Sequence, residues 1–190
     1  NRMTVTALDV AGHRLNLIEH LGSGGAVLEP DDKRLDVLKA KPAIALLLAG
    51  GALCNDASLA PDAAGPGRFR AVGDPTEGAL IVLAEKGGVS VDGAREMFPR
   101  VAELPFDSDY KFMATFHNMT NEQGKPVVRA FVKGAPDVLI ARSSSYLLPG
   151  GEVKQGDSDK GALALQENER MAKAGERVMV VARRDFDPAA

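Results

Sequence analysis

Lys133 stands in a stretch that could hold an anion. Phe131-Val132-Lys133-Gly134-Ala135-Pro136-Asp137 reads as the end of a strand running into the start of a helix. Val127, Val128, Phe131 and Val132 supply the β-branched and aromatic run of a strand. Pro136 suits a first helical turn, where its fixed φ fits and its missing N–H has no partner to lose. Gly134 between them would let a ligand approach the backbone closely. A helix N-terminus offers free N–H groups and partial positive charge, which attract phosphate or carboxylate. Lys133 would add a mobile cation at the same point. The bland alternative is a strand–turn–helix junction with a solvated lysine.

Other chemistries find little support. Cys54 is the one cysteine, which excludes an internal disulfide and a multi-cysteine zinc site. It reads as a small buried hydrophobe. His13, His20 and His117 lack the spacing of a metal pair and read as surface or edge residues. There is no Gly-rich loop with lysine and serine or threonine, no nucleophile elbow and no metal triad, so no catalytic residue is assigned. The glycines at 22, 24 and 25 lack the strand before and helix after that a phosphate loop needs.

The elements that must position Lys133 fit 190 residues, a length that suits one large domain or at most two small ones. Hydrophobic residues make up 45% and charged residues 26%, ordinary values for a soluble globular protein. The formal charge is −3 and the pI about 5.7, with no basic block, so nucleic acid is not an expected partner. The longest apolar run, Ala43 to Leu53, is broken by Gly50-Gly51 and is too short to span a bilayer. The start at Asn1 without a methionine or basic leader leads to the expectation of a piece of something longer.

In chain order, Met3–Val10 and His13–Leu21 read as strands joined across Ala11-Gly12, and Leu21–Pro30 as a loop. Asp31 or Asp32 would cap a helix carrying Leu35, Val37 and Leu38. Pro42–Leu53 is apolar nearly all round and reads as a buried helix, with Asn55 serving its end. Ala57–Gly67 reads as a surface loop. Asp74, Pro75 and Glu77 form an aspartate version of a capping box, opening a helix striped with Leu80, Ile81 and Ala84 and closed by Gly87. A short helix would follow Asp92. Val101–Pro105, Lys111–His117 and Val127–Lys133 are strands, with hairpin turns at Asp107-Ser108-Asp109 and Asn118–Lys125. A helix from Asp157 or Ser158 to Gly175 precedes a last strand, Arg177–Arg183. Without strict βαβ repetition, hairpins flanked by helices are expected: an α+β fold with a mainly antiparallel twisted sheet.

Four stretches, in this order, resemble the nucleotide-binding domain of P-type cation-transporting ATPases. They are Pro75-Thr76-Glu77-Gly78-Ala79-Leu80, Leu104-Pro105-Phe106 with Lys111 and Met113, Lys133-Gly134-Ala135-Pro136, and Gly175-Glu176-Arg177-Val178-Met179-Val180. Ala52-Leu53-Cys54-Asn55-Asp56 is similar to a segment of calcium and sodium pump relatives. Met3-Thr4-Val5 is similar to the residues just after the phosphorylated aspartate, which is itself absent here. The resemblance covers the chain from end to end, so residues 1–190 are identified as one such domain of a larger membrane ATPase.

The resemblance implies a nucleotide site, and each residue has a bland reading beside it. Phe106 would stack on adenine, or be a core ring after Pro105. Glu77 would accept from the adenine amino group, alongside its capping task. Lys133 would sit by the nucleotide, with Gly134 and Ala135 giving close backbone approach. Lys111 would face the phosphates or the ring edge, or be a solvated strand lysine. Arg177 would hold phosphate oxygens with its planar fork, or pair with Glu176 or Asp185. Met113 and Met179 would line the adenine slot or pack the core.

Ser108 departs from the calcium pumps' usual arginine, between two aspartates where a phosphate would pass. The heavy-metal branch's histidine–proline pair is also missing, which favours a branch moving calcium or another alkaline cation. The family role is to present the γ-phosphate of ATP to an aspartate of a separate phosphorylation domain, with magnesium in the full-length enzyme. Expected partners are ATP or ADP and the phosphorylation and actuator domains of the same chain. The domain would be cytoplasmic and soluble, its parent in the membrane. Alone it would bind ATP without turnover. The alternative is a domain of the same fold with a regulatory or protein-interaction role and no nucleotide.

Overall fold

A computed structural model describes residues 3–17, 27–28 and 41–189 of the chain. The helix expected from Asp31 or Asp32, His20 and most of the 21–30 loop lie outside them.

The chain opens with a hairpin, β1 (Ala7–Val10) and β2 (His13–Asn16). Its two-residue turn takes positive φ at Ala11 (54°) and Gly12 (83°), the backbone twist that matches a right-handed strand pair. β3 (Val27–Leu28) precedes α1 (Pro42–Leu53), β4 (Ser58–Pro61), β5 (Phe69–Val72), α2 (Pro75–Lys86) and α3 (Val91–Met97). Then come β6 (Arg100–Asp107), β7 (Phe112–Thr120) and β8 (Pro126–Gly134), with α4 (Pro136–Arg142) after them. A small hairpin, β9 (Ser145–Leu147) with β10 (Val153–Gln155), leads to α5 (Ser158–Lys173) and β11 (Val180–Phe186). The main sheet is four-stranded and antiparallel throughout, in the order β11-β8-β7-β6. The α+β architecture with an antiparallel sheet is as the sequence predicts.

α1 sits between the main sheet and α2, which explains why it is apolar on all sides. Ile44, Leu48 and Ala52 share one cluster with Leu8, Leu17 and Ile81, while Leu53 and Cys54 share another with Met113 and Phe131. Burying each large side chain contributes about 1.5–3 kcal/mol. Gly50 sets how closely the helix meets the sheet: a Cβ there would lie 2.8 Å from Phe131 Cδ1. Cys54 is fully buried as expected, and burial pushes its thiol pKa up. Asn55 closes the helix by donating from Nδ2 to the carbonyls of Gly51 (3.0 Å) and Glu77 (2.9 Å).

Four sequence expectations need correction. The stretch read as a loop over Ala57–Gly67 contains β4, and β3, β5 and β4 form a second antiparallel sheet. Its alanine- and proline-rich composition masks the strand. The cap of α3 is Ser90, whose hydroxyl accepts from Gly93 N–H, rather than Asp92. β11 starts at Val180, opposite Gly134, because β8 ends there and leaves nothing for residues 177–179 to pair with. His117 is buried, not on the surface. The turn after α3 lies over it, with the Phe98 carbonyl 2.8 Å from Nδ1 and Thr115 Oγ1 2.9 Å from Nε2.

Candidate functional site

Sheet register brings the separate motifs to one level. Met113 pairs with Lys133, and Lys133 with Val181. On the other side of β7 the register slips between Leu104 and Asp107, a bulge that sets Pro105 and Phe106 beside Met113. Phe106 is 64% exposed, so it is not a core ring. It stands exposed to solvent on the edge strand of the sheet. Met113 is in the opposite situation, 3% exposed and packed with Leu53, Cys54 and Phe131.

Lys133 is not the mobile cation that the sequence predicts. It is 4% exposed, on the face of the sheet that α1 covers. A charge so shielded needs a counter-charge, and Glu77 at the start of α2 supplies it, Oε1 standing 2.6 Å from Nζ. Asp74 caps α2 as expected, accepting from the N–H groups of Thr76 (2.8 Å) and Glu77 (3.1 Å). The Glu77 carboxylate, however, is directed away from the cap: its second oxygen accepts from Asp56 N–H at 3.2 Å. α2 thus aims Glu77 across at β8.

Gly134 also differs from its sequence reading. The space a Cβ would fill is occupied by the Lys111 carbonyl and by Phe112, not open to a ligand. Ala135 N–H donates to that same carbonyl at 3.0 Å. The β6–β7 turn is therefore clamped to the β8–α4 junction through Lys111, which adopts a left-handed φ of 59°. Asp107 folds the turn from inside, accepting from Asp109 N–H at 2.7 Å. Ser108 is exposed at its tip.

Lys111 extends to Asp137 in the first turn of α4, Nζ to Oδ2 at 3.2 Å, both side chains more than half exposed. That bond holds the Asp137 carboxyl below its ordinary pKa. α4 itself spans seven residues, with this acid already at its N-terminus. Arg177 is exposed and donates to Thr76 Oγ1 at 3.2 Å, which ties it to the start of α2 beside Glu77. Glu176 and Asp185 are engaged elsewhere, with Arg14 and Arg129. Met179 is half-buried just before β11.

Residues 43–190 match the family model described as P-type ATPase, cytoplasmic domain N. The chain belongs to that family. The "Cation-transporting ATPase pma1" of Synechocystis is 34% identical over 200 residues, covering 99% of this chain and 20% of that protein. The "Calcium-transporting ATPase" of Bacillus subtilis is 34% identical over 179 residues, 91% of this chain and 17% of that protein. The human "Calcium-transporting ATPase type 2C member 1" is 34% identical over 141 residues, 74% of this chain and 14% of that protein. The chain therefore spans about a fifth or less of these relatives' length.

Within this P-type domain N, the structure gathers Glu77, Phe106, Met113 and Lys133 at one level of the sheet, with Arg177 joined through Thr76. Lys111, Gly134 and Ala135 form the adjoining clamp. Sequence reading missed Asp56 and Asp137, whose contacts close the site on either side. Asp137 lies within the Phe131–Asp137 stretch and Asp56 ends the Ala52–Asp56 segment, but neither stretch indicates the contact its acid makes. Asp56 also borders an open pocket of about 320 Å³ with Arg95, Arg100 and His117. No helix among the described residues is long and apolar enough to cross a membrane.

Proposed function

We propose that this domain binds ATP with its adenine stacked on Phe106 and its phosphates toward Lys111 and Arg177. The observation that carries the reading is the 64% exposure of Phe106 next to Met113, which pairs with Lys133, the buried partner of Glu77. A base offers a π-face, and an exposed aromatic ring on a rigid strand can cover it with little reorganisation. Glu77, fixed by Lys133, is an acceptor for an exocyclic amino group, directly or through a water. Lys111 and Arg177 are cations that solvent reaches. Lys133 acts on the base side by orienting Glu77, since its burial keeps it from the phosphates.

In the parent protein, the domain presents the γ-phosphate of ATP to an aspartate on a separate phosphorylation domain of the same chain. The parent is an ATP-driven cation pump in a membrane, with this domain on the cytoplasmic side. Phosphoryl transfer rests on positioning and electrostatics, so this domain supplies position and not chemistry. Among the described residues no group of three or more His, Cys, Asp or Glu could hold a metal. In this reading magnesium belongs to the cycle of the full-length enzyme, held mostly by the phosphorylation domain.

The test is a titration of the protein with ATP, following backbone amide shifts. Saturable shifts at Glu77, Phe106, Lys111 and Arg177 are expected, without hydrolysis. The pairing of Lys133 with Glu77 and of Lys111 with Asp137 favours, as a second reading, a regulatory domain that keeps the fold without nucleotide. A folded protein with no shifts at several-millimolar ATP, a level that still reveals binding of roughly 3–4 kcal/mol, selects that reading.

A further inference from the structure

Two lysines approach the site, and they are held in opposite ways. Lys133 is buried on Glu77, whereas the Lys111 side chain is 53% exposed on Asp137, itself 58% exposed. The Lys111 backbone is fixed at both ends, which sets where its side chain starts. Its N–H donates to the Asp107 carbonyl at 2.7 Å, and its carbonyl accepts from Ala135 N–H at 3.0 Å. Gly134 leaves room for that second contact, which Lys111 makes at a left-handed φ of 59°. The same clamp brings α4, and so Asp137, to the turn that carries Lys111. The pair is therefore a built juxtaposition of two elements, not a chance encounter of two surface side chains.

Resting on the proposed function, we propose that Asp137 is a specificity-determining residue that sets the domain's preference among nucleotides by their phosphate charge. Its carboxylate occupies the Lys111 ammonium in the free domain, and a phosphate reaching Lys111 must displace it. The displaced carboxylate stays within the same turn and repels the incoming charge. An adenosine without phosphates meets neither obstacle. Asp137 thus lowers affinity for the triphosphate and leaves the base contribution alone. A site that must release its product after transferring a phosphate is served by such a built-in competitor. The first turn of α4 keeps Asp137 in place, where its charge also suits the helix N-terminus.

The experiment compares adenosine, ADP and ATP binding to the wild-type domain and to Asp137→Asn, by calorimetry or amide shifts at low and physiological salt. Asp137→Asn should tighten ATP by about two- to fivefold, the range set by freeing one exposed ion pair. It should leave adenosine unchanged. The gain should shrink with added salt, because both groups are exposed. In a Lys111→Met background the same substitution should give a smaller gain, since the competition it removes is gone. Equal changes for adenosine and ATP, or weaker ATP binding by a folded Asp137→Asn domain, overturn the proposal while leaving the nucleotide site standing. Failure of the wild type to bind even adenosine overturns the nucleotide reading and this proposal together.

Discussion

Glu77 Oε1 lies 2.6 Å from Lys133 Nζ, joining two motifs 56 residues apart in the sequence. The pair is shielded unequally, Lys133 at 4% exposure and Glu77 at 15%. Removing one partner of a shielded pair costs more than the pair itself contributes, because it strands the other charge. Glu77→Gln leaves the more deeply buried ammonium without a counter-charge and should destabilise the fold by about 3 kcal/mol. Lys133→Met leaves Glu77 near the surface with Asp56 N–H and should cost less. Urea unfolding midpoints of the two variants check the order.

Gly134→Ala tests the clamp. The added methyl would collide with the Lys111 carbonyl and Phe112, so the β6–β7 turn must move. A loss of about 1–3 kcal/mol is expected, as for other overpacked positions. Amide shifts should change first at Lys111, Phe112 and Ala135. A variant as stable as the wild type with an unmoved turn would mean that the glycine serves an approaching ligand instead.

His117 makes stability pH-dependent. Burial is the main cause of its lowered pKa, the Phe98 carbonyl working the other way and the Arg100 charge adding to the lowering. The Phe98 contact requires Nδ1 to carry the proton, so Nε2 accepts from Thr115. The unfolded chain titrates near 6.5 and the folded one lower, so the unfolded state binds the proton first. The stability held by neutral His117 is full above pH 6.5. It declines as pH falls below that value, until the folded pKa is passed. Unfolding midpoints between about pH 5 and 8 should fall toward acid in the wild type, and more gently in His117→Gln.

The fold was legible wherever local chemistry decides the element. Pro42 at the first helical position and the Asp74-Pro75 cap mark two helices whose bounds match the sequence reading. Asp157 marks a third. The Asn121–Lys125 turn, with Gly124 at positive φ, separates β7 from β8 as its composition demands. Most of what stayed hidden depends on partners distant in the chain, although the Ser90 cap of α3 is a local contact. Nothing in residues 131–137 indicates that Glu77 takes up Lys133, or that Gly134 makes room for Lys111. Nothing near His117 indicates that the turn after α3 covers it. Of the site, the residue types were readable and their environments were not: Met113 lies in the core and Phe106 outside it.

The measurement that tests the central claim most directly is the ATP dissociation constant of Phe106→Ala against that of the wild type. Exposure of the ring means that the substitution should cost little stability, so affinity can be compared between folded proteins. The account predicts a loss of about 1–3 kcal/mol, the worth of a base stacked on an aromatic side chain, shared equally by adenosine and ATP. Unchanged affinity in a folded Phe106→Ala domain would contradict it and place the nucleotide elsewhere.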